Sequence, residues 1–236
     1  MSDIRLALIG MGKMGRTLAE LAPGSGFAVV ARLDEHETAG GISREALSGA
    51  QVAIEFTTPA AAPRNIKDVL SAGCPIVVGT TGWQAEAPSI EAWVREHKGA
   101  LLAASNFSIG VNVFQQIVAR AAELMAQAPG FETHLVETHH SAKKDAPSGT
   151  AIMLQRAVEA GLGHPVGVSS IRVGSVPGTH EVIFDTHYEQ IRLEHVARDR
   201  RVFAEGALVA ARWLVSAPRT GVFTMRDVLS SPEGRS

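Results

Sequence analysis

The sequence predicts an α/β fold: a doubly wound parallel sheet that carries a second, α+β domain. Three observations predict it. Short apolar runs alternate with amphipathic stretches up to about residue 105. A glycine-rich hexapeptide stands between the first apolar run and the first amphipathic stretch. Beyond it the pattern changes to one long amphipathic stretch and then to runs in which apolar and charged residues alternate. Strand–helix alternation is the mark of a parallel sheet covered on both faces, and apolar–charged alternation that of a sheet with one open face.

Strands are predicted over 4–9, 27–33, 51–56, 75–79 and 100–104, with helices over 14–22, 60–72 and 84–98. Ligands of such sheets bind beyond the carboxyl ends of the strands. Phe56-Thr57-Thr58-Pro59 and Gly79-Thr80-Thr81-Gly82 fall at those ends. Both are small, polar and turn-forming, as loops around a cofactor should be, and both equally fit plain strand-to-helix caps. Val111, Phe114, Val118, Ala121 and Met125 recur at helical spacing and predict a helix ending near Gly130. Strands follow over 132–138, 181–186 and 190–196. In the last, Ile191 and Leu193 alternate with Arg192 and Glu194, which fits an antiparallel sheet whose exposed face another subunit could cover. Residues 203–216 read as a helix and Gly221 to Leu229 as a final strand. No internal repeat or low-complexity tract interrupts the chain.

The hexapeptide is Gly10-Met11-Gly12-Lys13-Met14-Gly15. It follows the run Ile4 to Ile9 and precedes Leu18, Leu21 and Ala22 at helical spacing, the strand–turn–helix context that a dinucleotide fingerprint requires. The second strand ends at Asp34, 19 residues after Gly15, where a ribose-binding carboxylate belongs. The competing reading is a Gly-rich turn with a surface aspartate. Glu35 follows Asp34 where an arginine often binds a 2′-phosphate. NADH is therefore expected to be preferred, with NADPH tolerated through Arg32 or Lys13.

Composition bounds the rest. A chain of 236 residues, 45% hydrophobic, suits one large domain or two modest ones. Its net charge of −2 and lack of a basic block argue against nucleic acid. No apolar run reaches the roughly 18 residues of a membrane span. The start of the chain has no signal-peptide pattern. Cys74 is the single cysteine, which excludes an intrachain disulfide and points to a reducing cytoplasm. It reads as a small apolar residue before Pro75 rather than a nucleophile.

The densest chemistry lies in Glu137 to Thr150, ETHHSAKKDAPSGT. Histidine exchanges protons near neutral pH. Lysine is a point charge for a carboxylate or phosphate. Asp145 to Thr150 reads as a loop entering a helix, whose free N–H groups attract anions. Together they predict a site that holds a small anion beside a proton donor. Adjacent histidines on a strand point to opposite faces, so one of His139 and His140 can be merely structural. Lys144 reads as a solvated charge, Asp145 as a turn or cap residue, and Arg198 to Arg201 as a solvated turn. No Cys or carboxylate cluster at ligand spacing supports a metal.

These segments together resemble the 4-hydroxy-tetrahydrodipicolinate (dihydrodipicolinate) reductase family. The resemblance runs nearly end to end. It includes the glycine loop, EFTTP (55–59), VVGTTGW (77–83), SNFSIGVNV (105–113), ETHHSAKKDAPSGT and GVFTMRDVL (221–229). It implies a Rossmann-type cofactor domain, 1–107 plus 201–236, and a substrate-binding and tetramerisation domain, 108–200, with a mixed sheet that builds a homotetramer. It implies a cyclic imine dicarboxylate as substrate, reduced by NAD(P)H in lysine and diaminopimelate synthesis. It makes His139 the proton donor and Lys143 the second catalytic residue, with His140, Lys143, Ser148, Gly149 and Thr150 around the substrate carboxylates. On the cofactor side it implies Gly10 to Gly15, Asp34, Phe56, Thr57, Gly79, Thr80, Thr81, Ser105, Asn106, Phe107, Arg200 and Phe203.

Three departures stand out. The glycine loop is one residue shorter than the common family form. Ser141 and Ala142 replace larger polar or basic residues. The stretch 160–180 lacks a Gly-rich loop of longer members. The competing functions are an aspartate- or homoserine-type dehydrogenase on the same scaffold, and a non-catalytic NAD(H) sensor, which could dispense with His139 and Lys143.

Overall fold

Ile4–Ile9 (β1) shows why the first unit folds as it does. Its last four residues are buried, and successive side chains enter different cores. Leu6 and Leu8 join Leu18 and Phe27 on one face, while Ala7 and Ile9 join Ile66 and Ile90 on the other. A strand covered on both sides must be apolar throughout, and each buried Leu or Ile side chain contributes about 1.5–3 kcal/mol. The computed structural model describes residues 2–230. Met1 and 231–236, parts of the expected cofactor domain, lie outside the described residues.

The chain divides into two units. One joins Met1–Ile109 to Phe203–Ser236, and the other is Gly110–Val202. Among the described residues the first unit has a six-stranded sheet. It orders Gly221–Phe223 (β10), Ala100–Ala103 (β5), Ile76–Val78 (β4), Val52–Glu55 (β3), β1 and Phe27–Leu33 (β2). All its pairings are parallel. Lys13–Leu21 (α1) and Arg201–Ser216 (α7) supply one core. Ala62–Ser71 (α3) and Ala87–Glu96 (α4) supply the other. The doubly wound sheet that the alternation predicts is therefore present. Strand order turns back between β1 and β3, the switch point where ligands of such sheets bind. Cys74 is buried in the second core, and burial pushes its thiol up to about 12.

The second unit packs Ile109–Met125 (α5) and Gly149–Leu162 (α6) on one face of a four-stranded sheet. Its order is Gly167–Arg172 (β7), Glu132–His139 (β6), Gly178–Asp185 (β8) and Gln190–Ala197 (β9). Phe114, Val118, Leu135, Leu154, Val182 and Phe184 form its core. The sheet is mixed, because β7 runs parallel to β6 while β8 and β9 are antiparallel. The other face is half-exposed and includes Ile171, Glu181, Ile183, Arg192 and Val196.

Sequence reading and structure differ at four places. The final strand stops at Phe223, and Met225–Ser230 is a helix (α8). The Asp227 carboxylate accepts from both the Thr224 N–H (2.7 Å) and its hydroxyl (2.8 Å), so a helix cap overrides the apolar run. Glu35–Thr38 (α2) was not foreseen, although Asp34 and Glu37 form its capping box. Strand β7 escaped because Val168-Ser169-Ser170-Ile171 has no clean alternation. Pro23–Ser25 forms a further 3-10 turn.

Candidate active site

The first unit offers a site made mostly of backbone. Gly10 has φ +89°, and a Cβ there would lie 2.1 Å from the Phe56 carbonyl oxygen. A Cβ on Gly15 would lie 2.0 Å from the Gly10 oxygen. A Cβ on Gly12 would meet nothing within 4 Å. The outer two glycines are thus required by the protein's own packing, and the middle one leaves room for a ligand. This division of labour fits a pyrophosphate against the start of α1. Lys13 and Met14 lie in the first turn of that helix. Gly10, Gly12, Asp34, Phe56 and Thr57 border a pocket of about 260 Å³, which Glu35, Thr38, Thr58 and Ala61 complete. Asp34 is exposed there and accepts the Met11 N–H at 3.3 Å.

A second pocket of about 180 Å³ lies between Thr80, Thr81 and Ser105. Thr80 ties the two loops together. Its hydroxyl accepts the Thr57 N–H at 2.7 Å, and its carbonyl accepts the Trp83 indole N–H at 2.8 Å. Gly79 lies so close to the Phe56 ring that a Cβ would collide with it at 2.0 Å. Asn106 turns its side chain to the Ser108 N–H (2.9 Å). Phe107 is a core residue, its ring edge-on to Phe56 at 6.0 Å. Phe203 is half-buried on α7.

The second unit offers a site made of side chains. His139 closes β6 and is buried, whereas His140 just beyond is half-exposed. Glu137 and His139 are two apart on one strand and face the same way. Glu137 Oε2 lies 2.5 Å from His139 Nδ1, and these two solvent-sealed atoms have no other partner. Glu137 Oε1 accepts from Arg172 (2.7 Å) and from the Ser148 N–H (3.2 Å). Arg172 also donates to the Asp145 carbonyl at 2.5 Å. Lys143 is half-buried and pairs with Asp145 at 2.8 Å. Asp145 thus orients a cation, and the helix cap falls to Ser148. The Ser148 hydroxyl accepts the Ala151 N–H (3.1 Å) and approaches His180 Nε2 (3.4 Å). Gly149 and Thr150 form the first turn of α6.

Electrostatics follow from this packing. Burial alone would raise the Glu137 carboxyl, but hydrogen bonds from Ser170, Arg172 and Ser148 outweigh it and hold it at about 2. Burial lowers His139 below the usual imidazole range, Glu137 opposes that, and Lys143 adds to it. Burial, then the charge of His139, brings His180 down to about 4. Arg200 donates to His140 Nε2 at 2.6 Å. Both border an open depression of about 620 Å³ with Ser141, Gly174 and Arg198. Arg200 is therefore engaged with the histidine pair's second member rather than only solvated.

Glu137, His139 and His180 bring potential ligand atoms within 4.8 Å of one another, a grouping that sequence spacing did not reveal. An ion ligated by both Glu137 and His139 would spread their atoms to about 3.3 Å at tetrahedral angles. They lie at 2.5 Å, and Arg172 already neutralises the carboxylate.

Sequence reasoning missed Arg172, Gly178 and His180. A Cβ on Gly178 would lie 3.1 Å from His139 Nε2, so glycine leaves that ring edge uncrowded. The G-x-H at 178–180 was the available signal, and only strand register joins it to His139.

Comparison with known proteins agrees with this geometry. Residues 4–107 match the family model described as "Dihydrodipicolinate reductase, N-terminus", and residues 110–229 match "Dihydrodipicolinate reductase, C-terminus". The 4-hydroxy-tetrahydrodipicolinate reductase of Christiangramia forsetii is 34% identical, over 96% of this chain and 98% of its own. That of Rubrobacter xylanophilus is 38% identical, over 94% and 85%. A solved structure, dipicolinate-bound dihydrodipicolinate reductase from Paenisporosarcina sp. TG-14, superposes with a TM-score of 0.78 at 20% identity. It covers 94% of this chain and 97% of its own. An aspartate dehydrogenase from Thermotoga maritima shares the fold more distantly, with a TM-score of 0.51 at 13% identity, covering 92% and 99%. The chain belongs to the dihydrodipicolinate reductase family of pyridine-nucleotide-dependent oxidoreductases.

Proposed function

We propose that this protein reduces 4-hydroxy-tetrahydrodipicolinate, by way of dihydrodipicolinate, to tetrahydrodipicolinate in lysine and diaminopimelate synthesis. One observation carries the reading to this chain's residues. A buried histidine, a half-buried lysine and a serine-capped helix start share one short segment of the second unit. That set can hold a dicarboxylate and deliver a proton to it.

Loss of water from the 4-hydroxy substrate gives the conjugated ring imine, and reduced nicotinamide, when bound, would supply the hydride for its C4. Lys143 holds a carboxylate and stabilises charge that develops toward the ring nitrogen. The start of α6, with Gly149 and Thr150, takes a carboxylate as well. His139 then donates a proton from Nε2, since Nδ1 faces Glu137, to the ring carbon beside C4, which returns the electron pair from the ring nitrogen and restores the imine. A dianionic substrate brings negative charge to His139 and raises its depressed pKa toward the working range.

NADH is the preferred cofactor in this reading. Asp34 accepts a free ribose hydroxyl, and Asp34 with Glu35 repels a 2′-phosphate. Further copies of the chain cover the half-exposed face of the second sheet and make a homotetramer, and the single cysteine fits a reducing cytoplasm.

A coupled assay tests the reading. Dihydrodipicolinate synthase generates the unstable substrate from pyruvate and aspartate semialdehyde, and nicotinamide absorbance is followed with NADH and NADPH in parallel. Substrate-dependent oxidation, faster with NADH, is expected. No oxidation by folded protein that binds NADH would overturn the activity. Equal or faster oxidation of NADPH would overturn the preference alone.

A further inference from the structure

The register of the second sheet gathers five polar residues on its helix-covered side. Glu137 pairs with Ser170 on β7 and with His180 on β8, and His139 pairs with Arg172. Paired residues share a face, so all five point the same way although 43 positions separate Glu137 from His180. At their centre is one carboxylate whose two oxygens do different work. Oε2 lies 2.5 Å from Nδ1 of the proposed proton donor. Oε1 takes the Ser148 N–H and the Arg172 guanidinium, and Arg172 in turn grips the Asp145 carbonyl in the loop whose Lys143 is paired with Asp145.

We propose that Glu137 is the positioning residue of this site. It fixes the His139 ring with Nδ1–H bound and Nε2 as the donating nitrogen, and it locks the 143–148 loop in register with that ring. The inference rests on the reading of His139 as the acid. Only a carboxylate in this place can do both tasks, because it must accept from an imidazole on one side and from a guanidinium and an amide on the other. Its strong acidity keeps it ionised throughout the working range. An imidazole oriented by a carboxylate is a recurring way to set the tautomer of a catalytic histidine.

Three variants test it: Glu137→Gln, the doubly neutral Glu137→Gln/Arg172→Gln, which leaves no unpaired buried charge, and His139→Gln. Each is measured for kcat, KM, the pH profile of kcat, NADH affinity and thermal melting. The expected result for both Glu137 variants is a kcat lowered at least about tenfold. The fall in rate at high pH should begin about one pH unit or more lower, because the imidazolium loses its anionic neighbour. NADH affinity should stay as in the parent. NMR should show the Nδ1-protonated tautomer of His139 in the parent and its loss in Glu137→Gln. If Glu137→Gln or the double variant folds and keeps the parent kcat and pH limb while His139→Gln has lost turnover, Glu137 is structural only and the inference is overturned. If His139→Gln itself keeps full turnover, the underlying reading fails, and the inference with it.

Discussion

The two units build their sites by opposite means. The glycine-rich and strand-end loops of the first unit are short in sequence, and their shape comes from what side chains must not do. Gly10 and Gly15 have no space for a Cβ, and Gly12 leaves space open. The 137–150 region of the second unit depends on what side chains do. Its hydrogen bonds and ion pairs join β6, β7, β8 and the 143–148 loop, and its central contact spans 35 positions between Glu137 and Arg172. A backbone site survives most side-chain changes and fails when bulk is added. A charge network fails when any one charge is removed.

Substitutions should separate the two along that line. Lys143→Ala removes a cation from the second site and should lower kcat/KM by about 10²–10³-fold. NADH affinity measured by fluorescence should remain within about twofold of the parent, as expected if the sites are independent. A parallel loss of NADH binding would break the comparison. Asp34→Ala acts on the first site alone. It should shift the NADH-to-NADPH ratio of kcat/KM about tenfold toward NADPH, because the repelling carboxylate is gone. An unchanged ratio would move the preference to Glu35 or elsewhere.

A further difference concerns acid. The first unit has no buried histidine among its described residues, whereas the second buries His139 and His180. His180 titrates at about 4 when folded against an ordinary value of 6.5. Between those values the unfolded chain binds more protons, so stability falls as pH drops. The loss amounts to about 3 kcal/mol by the lower limit. Glu137 adds a further loss between its ordinary 4.5 and about 2. Denaturant melts from pH 7 to 4 should show this slope, and His180→Asn should flatten it. An unaltered slope in the variant would remove His180 from the account. The smallest effect is chemical: Cys74, with its thiol near 12, should resist alkylation in the folded protein and react only on unfolding.

What sequence made legible follows the same division. The glycine loop, Asp34 and the strand-end loops are local patterns, and each could be read in one short window. The histidine–lysine segment was equally visible as composition. Arg172, Gly178 and His180 were not, because nothing near them in sequence says which residue they face. Strand β7 hides behind two serines, and without β7 the partner of Glu137 cannot be placed. Helix α8 was misread because its apolar residues suit a strand, while Thr224 and Asp227 cap a helix.

The most direct measurement is steady-state turnover of His139→Gln in the coupled assay, with NADH affinity determined on the same sample. The expected result is a kcat lowered by about 10²–10⁴-fold with NADH affinity unchanged. Turnover equal to that of the parent protein would contradict it.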